Sequence, residues 1–225
     1  MSVDSFRFFA PRTQFNFHKI DLPFIDTNKV VPMGVDIGYA SVKVYSVFGH
    51  HIFPSFPIKV RNDFNMAPKS TYIKYKDERD RLWYVGEVAR KVIETGKIPA
   101  QSQTLFGRQR INSEEYLVLL RLGIFFGLLK RYDENHLEYA KNVKLKIKSG
   151  LPEDYIIGDT NTLKERFHGH HNFKVQLGHH DWVNVSFDID MNKDEITVIS
   201  QPFGTLWSMV GNRYGEIENY SLLEK

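Results

Sequence analysis

Cysteine is missing from all 225 residues. That excludes disulfide bracing and thiolate chemistry, and it is compatible with a reducing compartment. No run of 18 apolar residues occurs, which speaks against a membrane-spanning helix. The chain does not open on a positive segment followed by an apolar one, so export by a signal peptide is not expected. Excess charge is scarce as well. Thirty Lys and Arg against 27 Asp and Glu leave +3, too mild to imply nucleic acid or an anionic membrane as a direct partner. Aromatics, by contrast, are plentiful: 17 Phe and 11 Tyr within a 42% hydrophobic composition. Such a chain can fill a core, as one large domain or two small ones. Aromatics suit strands and subunit surfaces, and ordinary core packing takes most of them.

The most informative stretch is 33–47, MGVDIGYASVKVYSV. Val35 and Ile37, then Val42, Val44 and Val47, keep an approximate period of two around a turn of small residues, which predicts strand, tight turn, strand. Asp36 needs a ligand, a local hydrogen bond or water to justify an acid in such a strand. One reading is a plain hairpin with Asp36 facing water or capping the turn. The other is a phosphate cradle. There the backbone of Gly38, Tyr39, Ala40 and Ser41 approaches an anion, Lys43 returns as a positive charge, and Asp36 holds Mg2+ through water.

The remaining pattern supports an α/β chain. Residues 1–32 hold prolines and no lasting period, and read as a leader or arm that packs on the body or makes contacts. Residues 49–60 predict a third strand, broken by Pro54 and Pro57. Residues 71–76 and 82–85 predict a hairpin across a charged turn. Val88, Ala89, Val92 and Ile93 predict a short helix. Arg108 and Arg110, in a polar loop, have the chemistry to contact a nucleotide or a partner, and by default are expected to face solvent. The longest predicted element is a helix over 113–131, capped by Asn112 with Glu115 and apolar over most of its surface, hence deeply buried. In 143–148, Val143, Leu145 and Ile147 alternate with three lysines whose face must meet solvent. Asp159, Thr160 and Thr162 suit the start of a helix over 159–167. The histidines at 168, 170, 171, 179 and 180 fit no fixed zinc spacing and are expected to be structural or solvent-facing. Residues 173–177 and 182–189 predict a hairpin, and 195–201 a last strand ending at Gln201.

Four stretches, in order, carry a resemblance: Asp36-x-Gly38 with Lys43, Tyr84-x-Gly86-x-x-Ala89, Gly150-Leu151-Pro152-x-x-Tyr155, and a strand running into Gln201-Pro202. Together they resemble the actin-like ATPases, in particular the ParM-like, plasmid-segregation branch. The resemblance covers about 33–225. It implies a ribonuclease-H-like α/β domain with a mixed five-stranded sheet and an inserted small subdomain at about 61–110. It also implies ATP or GTP with Mg2+ at Asp36, Gly38, Tyr39, Ala40, Ser41 and Lys43, and Gln201 as the residue that orients the attacking water.

The family's second phosphate hairpin, of the form DxGxxT, and its second domain have no counterpart here. The expectation is therefore the N-terminal, nucleotide-binding half of a cytoplasmic filament-forming ATPase, with little or no activity alone. Its expected partners are the missing second domain or a split partner, filament subunits, and DNA through an adaptor. An alternative is a non-catalytic interaction module that caps or regulates a full-length filament protein. A sugar-kinase or chaperone-type relative is a third reading, less well matched by the second and third motifs.

Overall fold

The computed structural model describes residues 12–18, 29–64, 66–95, 107–190 and 195–201. Its larger sheet has six strands. They are β1 (Gln14–Phe17), β2 (Val30–Ile37), β3 (Ser41–Ser46), β4 (Gly49–Pro54), β10 (Lys144–Leu151) and β13 (Ile196–Ser200), in the order β1-β4-β3-β2-β10-β13. The sheet is mixed. β10 runs parallel to both β2 and β13, while β1, β4, β3 and β2 pair antiparallel. The sixth strand comes from the leader: Gln14–Phe17 lies along Gly49–Ile52 at the edge. Phe15 fixes it there by packing near Phe126 and Tyr132.

The predicted third strand is two strands in two sheets. β4 stays in the large sheet, and β5 (Pro57–Val60) pairs with β7 (Leu82–Val85) in a second one. Pro54 and Pro57 bracket the change, since proline cannot donate to a continuing ladder. The second sheet has the order β12-β11-β6-β7-β5. It adds β6 (Ile73–Lys76) and the hairpin β11 (Gly169–Leu177) and β12 (Val183–Ile189). A mixed α/β, actin-like architecture with a smaller antiparallel unit is thus present.

Between the sheets lies α2 (Glu114–Leu128), with twelve of its residues buried. It packs on β2, β3, β4 and β5, and its apolar surface all round follows from contact on both sides. Leu119, Leu120 and Leu122 each contribute about 1.5–3 kcal/mol through burial. The helix is shorter than its pattern predicts. At Leu129 the backbone turns extended, and β8 (Leu129–Tyr132) pairs with β9 (Leu137–Tyr139). Its cap is Ser113, whose hydroxyl accepts from the Tyr116 amide at 3.0 Å, rather than Asn112. Asn112 belongs to a 3-10 turn, Arg108–Asn112, that leads into the helix.

Helix α3 (Glu153–Phe167) begins six residues before the expected start. Pro152 stands at its N-cap, and Glu153 and Asp154 complement the positive end. Thr160, expected at the start, instead donates to the Ile156 carbonyl one turn back. Both α2 and α3 cover the same face of the large sheet, the side of Val31, Val35, Leu145 and Ile147. On the opposite side Lys144, Lys146 and Lys148 are exposed, and among the described residues no helix covers them. The small sheet carries α1 (Glu87–Glu94) on its far face, where Val88, Ala89 and Val92 are buried against Tyr84 and Ile58. Gly86, at the strand-to-helix junction, has φ +70°. Among the described residues no helix is long and apolar enough to cross a membrane.

Candidate functional site

Three strands end at one place. β2, β10 and β13 run in parallel, so their carboxyl ends bring Asp36, Gly150 and Gln201 together, where open α/β sheets present ligand sites. Asp36 lies opposite Lys43 in the β2–β3 register, and its carboxylate is 3.5 Å from the Lys43 ammonium. The Gln201 side-chain amide reaches the other oxygen of Asp36, also at 3.5 Å. These contacts are long for direct hydrogen bonds, and the Lys43 and Asp36 side chains are 62% and 41% exposed. Acid, amide and cation therefore converge loosely, with the acid and the cation open to solvent.

The turn between β2 and β3 is held from within. The Gly38 amide donates to the Ser41 carbonyl at 3.0 Å. A β-carbon at residue 38 would sit 2.9 Å from that same oxygen, so the tight approach requires glycine. Ser41 is buried, Tyr39 is half exposed, and the Ala40 carbonyl accepts from the Ser55 amide at 3.1 Å. Beneath the site, Ser149 donates to the Val35 carbonyl at 2.8 Å and ties β10 to β2.

Two arginines expected to face solvent are engaged instead. Arg108 donates to Asp159 at 2.6 Å and lies over the Tyr155 ring. Arg110 donates to the Ile37 carbonyl at 2.6 Å, and its guanidinium carbon lies 4.1 Å from the centre of the Tyr39 ring. Tyr116, buried on the first turn of α2, completes this wall. Burial foremost, with a smaller push from Asp36 against a pull from Arg110, holds its hydroxyl well above the ordinary value. The signal that could have singled out Arg110 is its place just ahead of the cap of a helix that packs on β2.

A second charged group lies elsewhere, beside a cleft of about 240 Å3 lined by Tyr75, Glu78, Arg81, Trp83, Arg121 and Arg166, among others. Its Arg121 is buried on α2 and closely bound. It donates to the Tyr75 hydroxyl at 2.8 Å, to both oxygens of Glu78, and to Nδ1 of His171 at 3.1 Å. The histidine cluster is divided among such duties. His171 Nε2 faces the Phe167 carbonyl, His168 that of Ile189, His179 that of Glu134 and His180 that of Asp133, while His170 pairs with Asp188. Among the described residues no three metal-ligating side chains converge.

A mixed sheet of this order, with a glycine turn after the first parallel strand and an acid at that strand's end, defines an actin-type α/β domain. Residues 34–204 match the family model described as the N-terminal domain of actin-like proteins, and the chain belongs to that family. Among solved structures it is similar to a 15-stranded ParM filament from Clostridium botulinum, at 21% identity and a TM-score of 0.57 over 81% of this chain and 50% of that one. It is also similar to the apo psk41 ParM protein, at 16% identity and a TM-score of 0.59 over 85% and 56%. An AlfA filament bound to AMPPNP matches at 16% and 0.53 over 80% and 58%. At these identities the likeness is one of fold. The chain spans about half the length of these relatives, from 50% to 58%. No curated protein matches it.

Proposed function

We propose that this chain is the nucleotide-binding N-terminal domain of a filament-forming, actin-like ATPase that segregates plasmid DNA. The observation that carries the reading is the convergence of Asp36, Lys43 and Gln201 at the carboxyl ends of parallel strands, beside a turn that demands glycine. An exposed acid, a cation and a close-packed turn fit the phosphate tail of a magnesium nucleotide. Bound there, ATP or GTP would supply the terminal phosphoanhydride bond that hydrolysis cleaves. Asp36 holds the metal's water shell, the backbone of Gly38, Tyr39, Ala40 and Ser41 approaches the phosphates, Lys43 balances their charge, and Gln201 orients water for attack. The AMPPNP in the AlfA filament and the filament state of the ParM relative support this choice.

Groups on both sides of the phosphate tail are needed for turnover. This domain alone is therefore expected to bind nucleotide weakly and to form no stable nucleotide-dependent filaments. Its partners are a second actin-like domain, like subunits, and DNA through an adaptor. The test uses a protein that carries both domains, or the two halves combined. Asp36→Ala should weaken Mg-ATP binding. Gln201→Ala should leave binding nearly intact and slow single-turnover hydrolysis roughly 10- to 1,000-fold. Unchanged hydrolysis in Gln201→Ala would remove it from the site, and unchanged affinity in Asp36→Ala would remove the metal role.

A further inference from the structure

We infer that Arg110 is a positioning residue for the β2–β3 turn, acting through the Ile37 carbonyl and the Tyr39 ring. The inference rests on the nucleotide reading of that turn. Arg110 belongs to the 3-10 turn before α2 and is remote in sequence from the turn it touches. Its Nη2 donates to the carbonyl of the last residue of β2, at the point where the strand gives way to the turn. Its guanidinium lies 4.1 Å from the Tyr39 ring centre and 5.7 Å from that of Tyr116, which is anchored in α2. Among the described residues no carboxylate pairs with it, whereas Arg108, two residues away, is taken by Asp159. A carbonyl and two aromatic rings therefore set where this cation sits.

Arg110 adds a second outside hold to the turn. Gly38, Ala40 and Ser41 carry little side chain to stiffen it, the Gly38–Ser41 bond closes it from within, and the Ser55 amide ties it at the Ala40 carbonyl, which leaves the Ile37 end to Arg110. A turn already fixed in one shape loses less freedom when an anion arrives. The planar fork of arginine is what fits both contacts. A lysine keeps the charge but cannot stack as a plane while donating sideways to a carbonyl. This separates positioning from simple attraction of phosphate.

The decisive experiment has two readouts on the protein that carries this domain: amide hydrogen exchange at residues 38–41 without nucleotide, and titration with Mg-ATP and Mg-GTP. Arg110→Ala should raise exchange in the turn roughly 30-fold, the scale of one charge-assisted bond with one ring contact, and leave β10 protected. Nucleotide affinity should weaken by a similar factor. Arg110→Lys should resemble Arg110→Ala in exchange. Tyr39→Ala, which removes the ring, should loosen the turn from the other side. Because Tyr39 is half exposed, this variant decides the matter if Arg110→Ala fails to fold. Unchanged exchange in folded Arg110→Ala, or Arg110→Lys equal to wild type in both readouts, overturns the inference. A wild type that binds neither nucleotide, while Arg110→Ala still loosens the turn, overturns the nucleotide reading and leaves the hold on the turn established.

Discussion

Two charged groups in this molecule use similar residues to opposite ends. Around Arg121 the donors and acceptors lie close and mostly out of water: guanidinium, phenol, carboxylate and imidazole satisfy one another. Around Asp36 an ammonium and an amide stand 3.5 Å from the carboxylate, and the acid and the cation are largely exposed. Burial makes the first group costly to break and useless for binding. Exposure makes the second cheap to alter and ready for a partner. Closeness of charges is thus a poor guide to function, and the unfinished constellation is the better candidate.

The comparison breaks first at Arg121. Arg121→Ala should cost about 3–5 kcal/mol in urea unfolding, because it strands a buried phenol and imidazole and half of an ion pair. Glu78→Gln should cost less, about 1–3 kcal/mol, because it leaves the buried Arg121 guanidinium with a neutral acceptor in place of its carboxylate. A loss under 1 kcal/mol in Arg121→Ala would dissolve the contrast.

Acid sharpens it next. Nδ1 of His171 accepts from Arg121 while Nε2 faces a carbonyl, so the ring is neutral with its proton on Nε2. Burial above all, with Arg121 adding to it against the pull of the Phe167 carbonyl, lowers its pKa to about 4. His51, buried among aromatics with neither ring nitrogen bonded, is also lowered to about 4, by burial and then by His50 and His18. Between the ordinary value of 6.5 and about 4 the unfolded chain binds more protons than the folded one. Stability is then fully present above pH 6.5 and falls as pH drops through that window, by about 2–3 kcal/mol per histidine. His51→Phe should remove about half of this acid limb and leave neutral stability equal or higher. A melting temperature flat from pH 7 to 4.5 would refute both assignments.

The smallest effect belongs to the open group. Asp36→Asn should change unfolding stability by no more than about 0.5 kcal/mol. Its consequence should appear in Mg-nucleotide affinity instead. A large loss of stability would place Asp36 with Arg121 as a structural residue.

Much of this was legible in order and period. The β2–β3 hairpin, the buried helix and the lysine-faced strand follow from local alternation, because one face of each meets the core. The places where reading failed are those where long-range packing decides. Nothing near Leu129 signals that a fully apolar helix stops there to make an edge strand. Nothing near Pro54 tells a broken strand from a passage between sheets. Glu153 and Asp154 after Pro152 did signal the true start of α3, but the threonines further on were stronger lures. At the site, Asp36, Lys43 and Gln201 were singled out by motif, and their meeting rests on the parallel order of three strands, which period alone does not specify. Arg110 was noted as a basic residue but left to solvent by default, because its partner is a main-chain carbonyl that side-chain pattern does not mark.

The passage between the sheets has a mechanical consequence. Only Ser55 and Phe56 separate β4 from β5, and each is latched by its backbone: Ser55 to the Ala40 carbonyl in the turn, Phe56 to the Gly86 amide at the head of α1. The two latches act like the ends of a short crank. Any swing of the small sheet about residues 54–57 must either snap the bond to Ala40 or drag the turn along with it. The small sheet and the turn are thereby coupled through one two-residue link.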